Sequence, residues 1–194
     1  MGAAYDLIWE YSYGAVTIDA ICARAKVKKG SFYYFFDSKS ELASAAIEAW
    51  WGERHALLKE LFQREVPPIE RLRRYLDFVA QRQLKAQAAS GHVMGCPLFT
   101  LGAEISTQDE RIRAQLHRIT GIVIDYFTCA IAAGQANGEI AGGDPKAKAR
   151  VLFCFYEGVL TQARIENHLE SIRTLSRDAL ALIGAREAPA AAAA

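Results

Sequence analysis

The chain has 194 residues, carries 23 Lys and Arg against 22 Asp and Glu for a net charge of +1, and is 52% hydrophobic. This balance excludes a polycation, so any contact with nucleic acid must come from a local patch. The length allows one large domain or a small one plus a large one, and with 5 Pro and 14 Gly to interrupt it, long helices are favoured. No apolar run approaches the ~20 residues of a membrane span. The N-terminus has no basic-then-apolar export signal, so a cytoplasmic protein is expected.

Taken in order, residues 4–12 read as a first helix, with Leu7, Ile8 and Tyr11 on one face and Gly14 ending it. Thr17 is placed to cap the next helix, which runs to about Ala25. Lys26 and Val27 form a turn, and a helix of about two turns follows from Lys28 to Phe35. Ile18, Ile21, Ala25 and Val27 make an apolar stripe, continued by Phe32, Phe35 and Phe36. Between them lies an exposed set: Lys26, Lys28, Lys29, Ser31, Tyr33 and Tyr34. Lys26, Lys28, Lys29 and Lys39 stand against Asp37 alone, a local +3. Gly30 inside this short helix costs roughly 1 kcal/mol against Ala. That cost is worth bearing where a backbone must come close to a phosphate or another helix. Two short helices around a tight turn, the second basic and aromatic, follow helix-turn-helix logic.

Ser38 with Glu41 three residues on forms a capping box for a long helix to about Gln63. Its spaced apolar positions are Leu42, Ala45, Ala46, Ala49, Trp50, Leu57, Leu58 and Leu61. Pro67-Pro68 opens a helix over 69–89, with Ile69, Leu72, Leu76, Val79 and Leu84 inward and Ser90-Gly91 ending it. Cys96-Pro97 opens a shorter helix, and Thr107–Asp109 caps the next, over 110–135. That helix carries Ile112, Leu116, Ile119, Val123, Phe127 and Ile131. A Gly-rich turn at 137–144 leads through Pro145 to a helix ending near Ile165, apolar all round at VLFCFY (151–156) and so in need of cover on more than one side. The last helix, 169–184, carries Leu169, Ile172, Leu175, Leu180 and Ile183. Residues 188–194 read as a disordered low-complexity tail. The expected fold is all-α with about nine helices: a helix-turn-helix domain over 1–46 and a larger helical domain over 47–187.

Cys22, Cys96, Cys129 and Cys154 form no CxxC pair, which points to reduced thiols. Cys22, Cys129 and Cys154 fall on apolar faces and read as core. Cys96, at a helix start where the helix dipole lowers a thiol pKa, reads either as a small buried hydrophobe or as a reactive thiol. His55, His92, His117 and His168 read as surface or interface residues. No HExxH, P-loop, GxSxG or dinucleotide fingerprint is present. Neither enzyme activity nor a cofactor or metal is expected.

The stretches TIDAICARA (17–25) and VKKGSFYYFFDSKSEL (27–42) resemble the helix-turn-helix signature of TetR/AcrR-type transcriptional regulators. The resemblance covers about residues 5–47; beyond it, helix order and length are similar. GCPLFTLGAEIS (95–106) is similar to a Gly-Cys-x-x-x-x-Leu-x-x-Glu segment of one TetR subgroup, some of whose members sense electrophiles or small acyl compounds. The family implies a homodimer held by the last two long helices, here about 145–165 and 169–184. It also implies a ligand-binding larger domain and a palindromic double-stranded DNA operator. Family members usually have a longer first helix and a basic tail before it; this sequence starts inside the expected first helix.

The resemblance makes Thr17, Lys28, Lys29, Gly30, Ser31, Tyr33, Tyr34 and Lys39 the expected DNA-binding residues. Lys29 and Lys39 would take phosphates, and the tyrosines phosphates, sugars or thymine methyls. An apolar effector pocket would draw on Trp50, Phe78, Cys96, Phe99, Phe127, Phe155 and Tyr156. The expected function is a ligand-responsive repressor released from its operator by a small molecule that pivots the long helix from Ser38. The alternative is a helical small-molecule sensor or carrier without DNA binding.

Overall fold

The computed structural model describes residues 1–186. Among them the chain forms nine α-helices: α1 (Gly2–Glu10), α2 (Ile18–Ala25), α3 (Lys29–Phe35), α4 (Lys39–Leu61), α5 (Pro68–Ser90), α6 (Pro97–Ile105), α7 (Glu110–Ala136), α8 (Pro145–Glu166) and α9 (Glu170–Leu182). No strand occurs among the described residues; one isolated bridge joins Ile140 to Ala185. The all-α expectation is met. The tail expected at 188–194 lies outside the described residues.

Most helix ends follow local chemistry. Thr17 Oγ1 accepts the Ala20 N–H at 3.1 Å to start α2. Ser38 Oγ accepts the Glu41 N–H at 3.1 Å, and the Glu41 carboxylate accepts the Asp37 N–H at 2.8 Å. These close the expected capping box one residue early. Asp109 starts α7 by accepting the Ile112 N–H at 3.0 Å, and Asp144 starts α8 by accepting the Lys146 N–H at 2.9 Å. Gly91, at φ 75°, ends α5 in the left-handed region that suits glycine. The first helix departs from expectation: it ends at Glu10, with Tyr11 closing on Leu7 O, and Gly14 lies beyond it in the loop.

The chain divides into two compact units. The first holds Met1–Leu57 and Cys96–Thr120; the second holds Leu58–Gly95 and the described chain from Gly121 onward. In the first, α1 packs on α2 and on α6, and α2 packs on α3. Its buried residues include Leu7, Ile8, Ile21, Cys22, Leu42, Ile47 and Trp51, with Leu101, Ile112 and Ile119 fully buried. The spacing in α4 pointed to Trp50, yet Trp51 is the buried tryptophan at 4% exposure while Trp50 is half-buried and stacks on Tyr5.

In the second unit, α9 packs on both α5 and α8. All five apolar residues expected of the last helix are buried, as are Val123, Phe127 and Ile131 of α7. Leu84 was expected inward in α5, but it is half-buried and its neighbour Gln83 is the enclosed one, at 2% exposure. Its amide explains this: Nε2 donates to Gly95 O at 3.1 Å, and Oε1 accepts the Met94 and Gly95 N–H groups at 3.2 and 2.9 Å. A buried polar side chain with such partners carries little desolvation penalty.

Two of the cysteines read as core are not. Cys129 and Cys154 are exposed; only Cys22 is buried, and Cys96 is half-buried. A helix buries one stripe against one core, so the surplus apolar surface of VLFCFY must face outward. Val151 is 50% exposed and Ile165 80% on α8, and Leu182 is 48% exposed on α9. One further expectation changes: α7 is long and apolar enough by composition to cross a membrane. Its charges are spaced too widely to break the stretch, and core helices meet the same measure.

Candidate nucleic-acid interface

The α2–turn–α3 element is held by few buried groups. Ile21 and Cys22 of α2 and Phe32 of α3 are buried, at 4–5% exposure. Lys26 ends α2 in the left-handed region, φ 56°, with its N–H on Ala23 O at 3.2 Å; the Val27 N–H follows on Cys22 O at 3.0 Å. A side chain with a Cβ occupies that region at a cost. The sharp turn is therefore enforced by the packing on both sides of it.

The apolar stripe drawn through this element is narrower than expected. Ala25 is exposed, Val27 is 48% exposed, Phe36 is half-buried, and Phe35 is 69% exposed. Phe35 sits three residues past Phe32, about 60° round the helix. A seven-residue helix that meets the core along one narrow line leaves it outside. Phe35 instead joins the outward rings: Tyr33 is 53% exposed, Tyr34 is 82% exposed, and Tyr34 meets Phe35 edge-to-face at 4.8 Å.

Lys28, Lys29, Gly30 and Ser31 are all exposed beside these rings. A Cβ on Gly30 would meet nothing within 4 Å, so no part of the chain itself demands glycine there. The Lys29 ammonium lies 3.0 Å from the Asp19 carboxylate, and that hydrogen bond and charge hold its pKa above the ordinary value. Thr17 is exposed while capping α2.

Lys39 has partners inside its own unit. Its Nζ donates to Tyr13 O at 2.8 Å and Val16 O at 2.9 Å, and sits 4.2 Å from the centre of the Tyr13 ring. Burial pushes its pKa down, opposed by the Glu104 carboxylate. That carboxylate, on α6, accepts the Tyr13 N–H at 2.8 Å and the Gly14 N–H. The sequence marked Glu104 only as the closing acid of the Gly-Cys-x-x-x-x-Leu-x-x-Glu segment and assigned it no contact. That segment, and the position of one acid in an otherwise apolar helix, PLFTLGAEI, were the available signals.

The residues expected to line a pocket divide between the units. In the first, Trp50 and Cys96 are half-buried and Phe99 is 37% exposed. In the second, Phe127 and Tyr156 belong to one ring cluster with Phe62, Tyr75 and Phe153; their centroids are 6.1 Å apart. The Tyr75 and Tyr156 hydroxyls lie 3.2 Å from each other. Phe78 and Phe155 are half-buried in the same unit. Reading α8 by its apolar residues missed Glu157, a carboxylate at 1% exposure one residue beyond Tyr156. It also missed Arg164, whose Nη1 donates to Met94 O at 2.6 Å and whose pKa burial lowers.

An exposed basic and aromatic helix, set behind a capped helix and a tight turn in an all-helical chain, defines a helix-turn-helix DNA-binding protein. Residues 1–46 match the family described as bacterial regulatory proteins, tetR family, and residues 68–178 match the tetracyclin repressor-like C-terminal domain. The chain belongs to the TetR family of transcriptional regulators. It is 28% identical over 177 residues to the transcriptional regulator AcuR of Cereibacter sphaeroides, covering 90% of this chain and 79% of that one. It is 27% identical over 169 residues to the HTH-type transcriptional repressor NemR of Escherichia coli K12, covering 86% and 83%. The crystal structure of reduced NemR from Escherichia coli superposes with a TM-score of 0.80 at 26% identity, covering 96% of this chain and 95% of that one. A regulatory protein TetR from Rhodobacter sphaeroides gives 0.80 at 27% identity, covering 91% and 93%. The protein is a ligand-responsive DNA-binding regulator, and the reading as a carrier that has lost DNA binding is not favoured.

Proposed function

We propose that this regulator is a cytoplasmic repressor that acts by binding rather than catalysis, sitting as a homodimer on a near-palindromic operator and leaving it when a small molecule binds. The two α3 helices enter successive major grooves, about 34–36 Å apart. The observation that carries this is the outward face of α3, where Lys28, Lys29, Ser31, Tyr33, Tyr34 and Phe35 are exposed around Gly30. Such a face neutralises phosphates with lysines and meets sugars and thymine methyls with rings. Gly30 leaves room for a sugar-phosphate strand where the chain has nothing of its own. Lys39 has a third N–H left for a phosphate after its two carbonyls. Thr17 completes the DNA-binding set from the start of α2.

The exposed apolar positions Val151, Ile165 and Leu182 support a subunit interface built from residues about 145–165 and 169–184. The effector site belongs to the second unit, drawing on Phe78, Phe127, Phe155 and Tyr156. The mixture of rings and hydroxyls around Phe127 and Tyr156 suits a small, mainly apolar molecule with one polar group. A ligand releases the operator only by favouring the non-binding arrangement, by a few kcal/mol for a useful switch.

The test is selection of duplexes from a random-sequence library by the purified protein. An enriched site with twofold symmetry, occupied by two chains, is expected. Enrichment of no duplex, or of an asymmetric site bound by one chain, would refute the reading.

A further inference from the structure

We propose that Glu104 of α6 is a positioning residue for operator recognition, and that Gly14 is glycine in order to receive it. The inference rests on the DNA-binding reading of α3. The loop between α1 and α2 lies between two opposite charges. The Glu104 carboxylate takes the N–H groups of Tyr13 and Gly14, one on each oxygen, across 91 and 90 residues of sequence. The Lys39 ammonium of α4 takes the carbonyls of Tyr13 and Val16. Four polar backbone groups of one short loop are thereby satisfied by two side chains from outside it.

Val16 is 3% exposed and is followed at once by Thr17, the cap of α2. The loop therefore fixes where α2 begins, and α3 packs on α2. A carboxylate on a different helix, outside the residues that match the DNA-binding family description, sets the placement of the reading helix.

Gly14 supplies the second observation. It does not occupy the left-handed region, so its backbone accepts any residue. A Cβ there would lie 2.6 Å from Glu104 Oε1, and no other atom stands closer than 3.9 Å. Among the described residues beyond its chain neighbours, what a Cβ at position 14 meets is the Glu104 carboxyl, which can yield only by giving up its hydrogen bonds to the loop. The polarity of the site agrees: burial, Asp109 and Glu104 together push the Tyr13 hydroxyl pKa upward.

The experiment uses the full chain with Glu104→Ala, Gly14→Ala and both together, and with Glu104→Gln, which retains the side-chain volume. Affinity is read against a duplex selected by the wild-type protein, at three salt concentrations. Amide hydrogen exchange at residues 13 and 14 is read without DNA. E104A is expected to weaken binding about tenfold with an unchanged salt slope, because the phosphate contacts stay the same in number. Exchange at both amides should quicken in E104A, and at one of the two in E104Q, whose single amide oxygen still accepts one N–H. G14A should weaken wild-type binding by a similar factor, yet change E104A by no more than about twofold, because its obstacle is gone. A merely structural loss lowers the active fraction of each variant, read by stoichiometric titration with excess duplex, and leaves the Kd of the folded molecules unchanged. Multiplying effects of the two substitutions, or E104A and E104Q binding as the wild type does, would overturn the proposal. If the wild-type protein selects no duplex, the DNA-binding reading falls first; if only the variants disagree, this inference alone falls.

Discussion

Replacing Lys29 by Ala separates a DNA contact from a structural one. Lys29 and its partner Asp19 are exposed, with 52% and 70% of their side chains accessible, so their ion pair adds little to folding. The variant should melt with the wild type. On DNA the expectation differs. Each phosphate that a lysine neutralises contributes about −0.9 to the slope of log affinity against log salt. A dimer carries two copies, so K29A should flatten that slope by about 1.8. Between about 50 and 200 mM salt, this makes the wild-type advantage shrink by roughly tenfold. Fluorescence anisotropy on a selected duplex at three salt concentrations measures it. Asp19→Asn is the companion: it frees the ammonium and removes a carboxylate from the approaching strand, so binding should strengthen. A K29A slope equal to the wild-type slope, even with weaker binding, would refute the phosphate role.

Two further predictions concern the scaffold. Gln83→Met keeps volume but removes three hydrogen bonds to the Met94 and Gly95 backbone in a buried segment. At about 0.5–1.5 kcal/mol for each hydrogen bond lost, the three together should cost about 2–4 kcal/mol. Calorimetry should record a fall in Tm of roughly 5–15 °C; a fall under about 2 °C would mean the segment finds other partners. The Asp109 carboxylate accepts from the Ser40 hydroxyl and the Ile112 N–H, which hold its pKa below the ordinary 3.8. A depressed carboxylate pKa adds stability that is full above the unfolded value and lost as pH falls through the folded one. Urea midpoints of the wild type and Asp109→Asn should therefore differ by a constant amount above about pH 5 and converge below about pH 4. A difference that stays flat down to pH 2 would contradict the assignment.

The long helices were legible because their apolar residues recur at helical spacing and their ends carry strong local signals. Every apolar position read into α7 is buried, and Thr17, Ser38 and Asp109 cap where the residues indicated. Reading failed where a short or doubly apolar helix meets its neighbours along one line. Phe35 and Cys154 share the composition of buried residues, but which side of the helix receives a partner is not written in their own segment. Gln83 failed in the opposite sense. A polar side chain is expected outside unless something distant needs its hydrogen bonds, and Met94 and Gly95 do.

By itself, then, the sequence determined the helix order, the caps and the basic, aromatic character of the reading helix. All of these follow from interactions spanning a few residues. Only the tertiary structure decided that a carboxylate of α6 and an ammonium of α4 hold the loop before α2 from two sides. It also decided that Gly14 exists for that approach rather than to end a helix. The reason is physical: a hydrogen bond between residues some ninety positions apart leaves no periodic mark in either segment. Its partners meet only once the apolar faces of α1, α4 and α6 have set the distance.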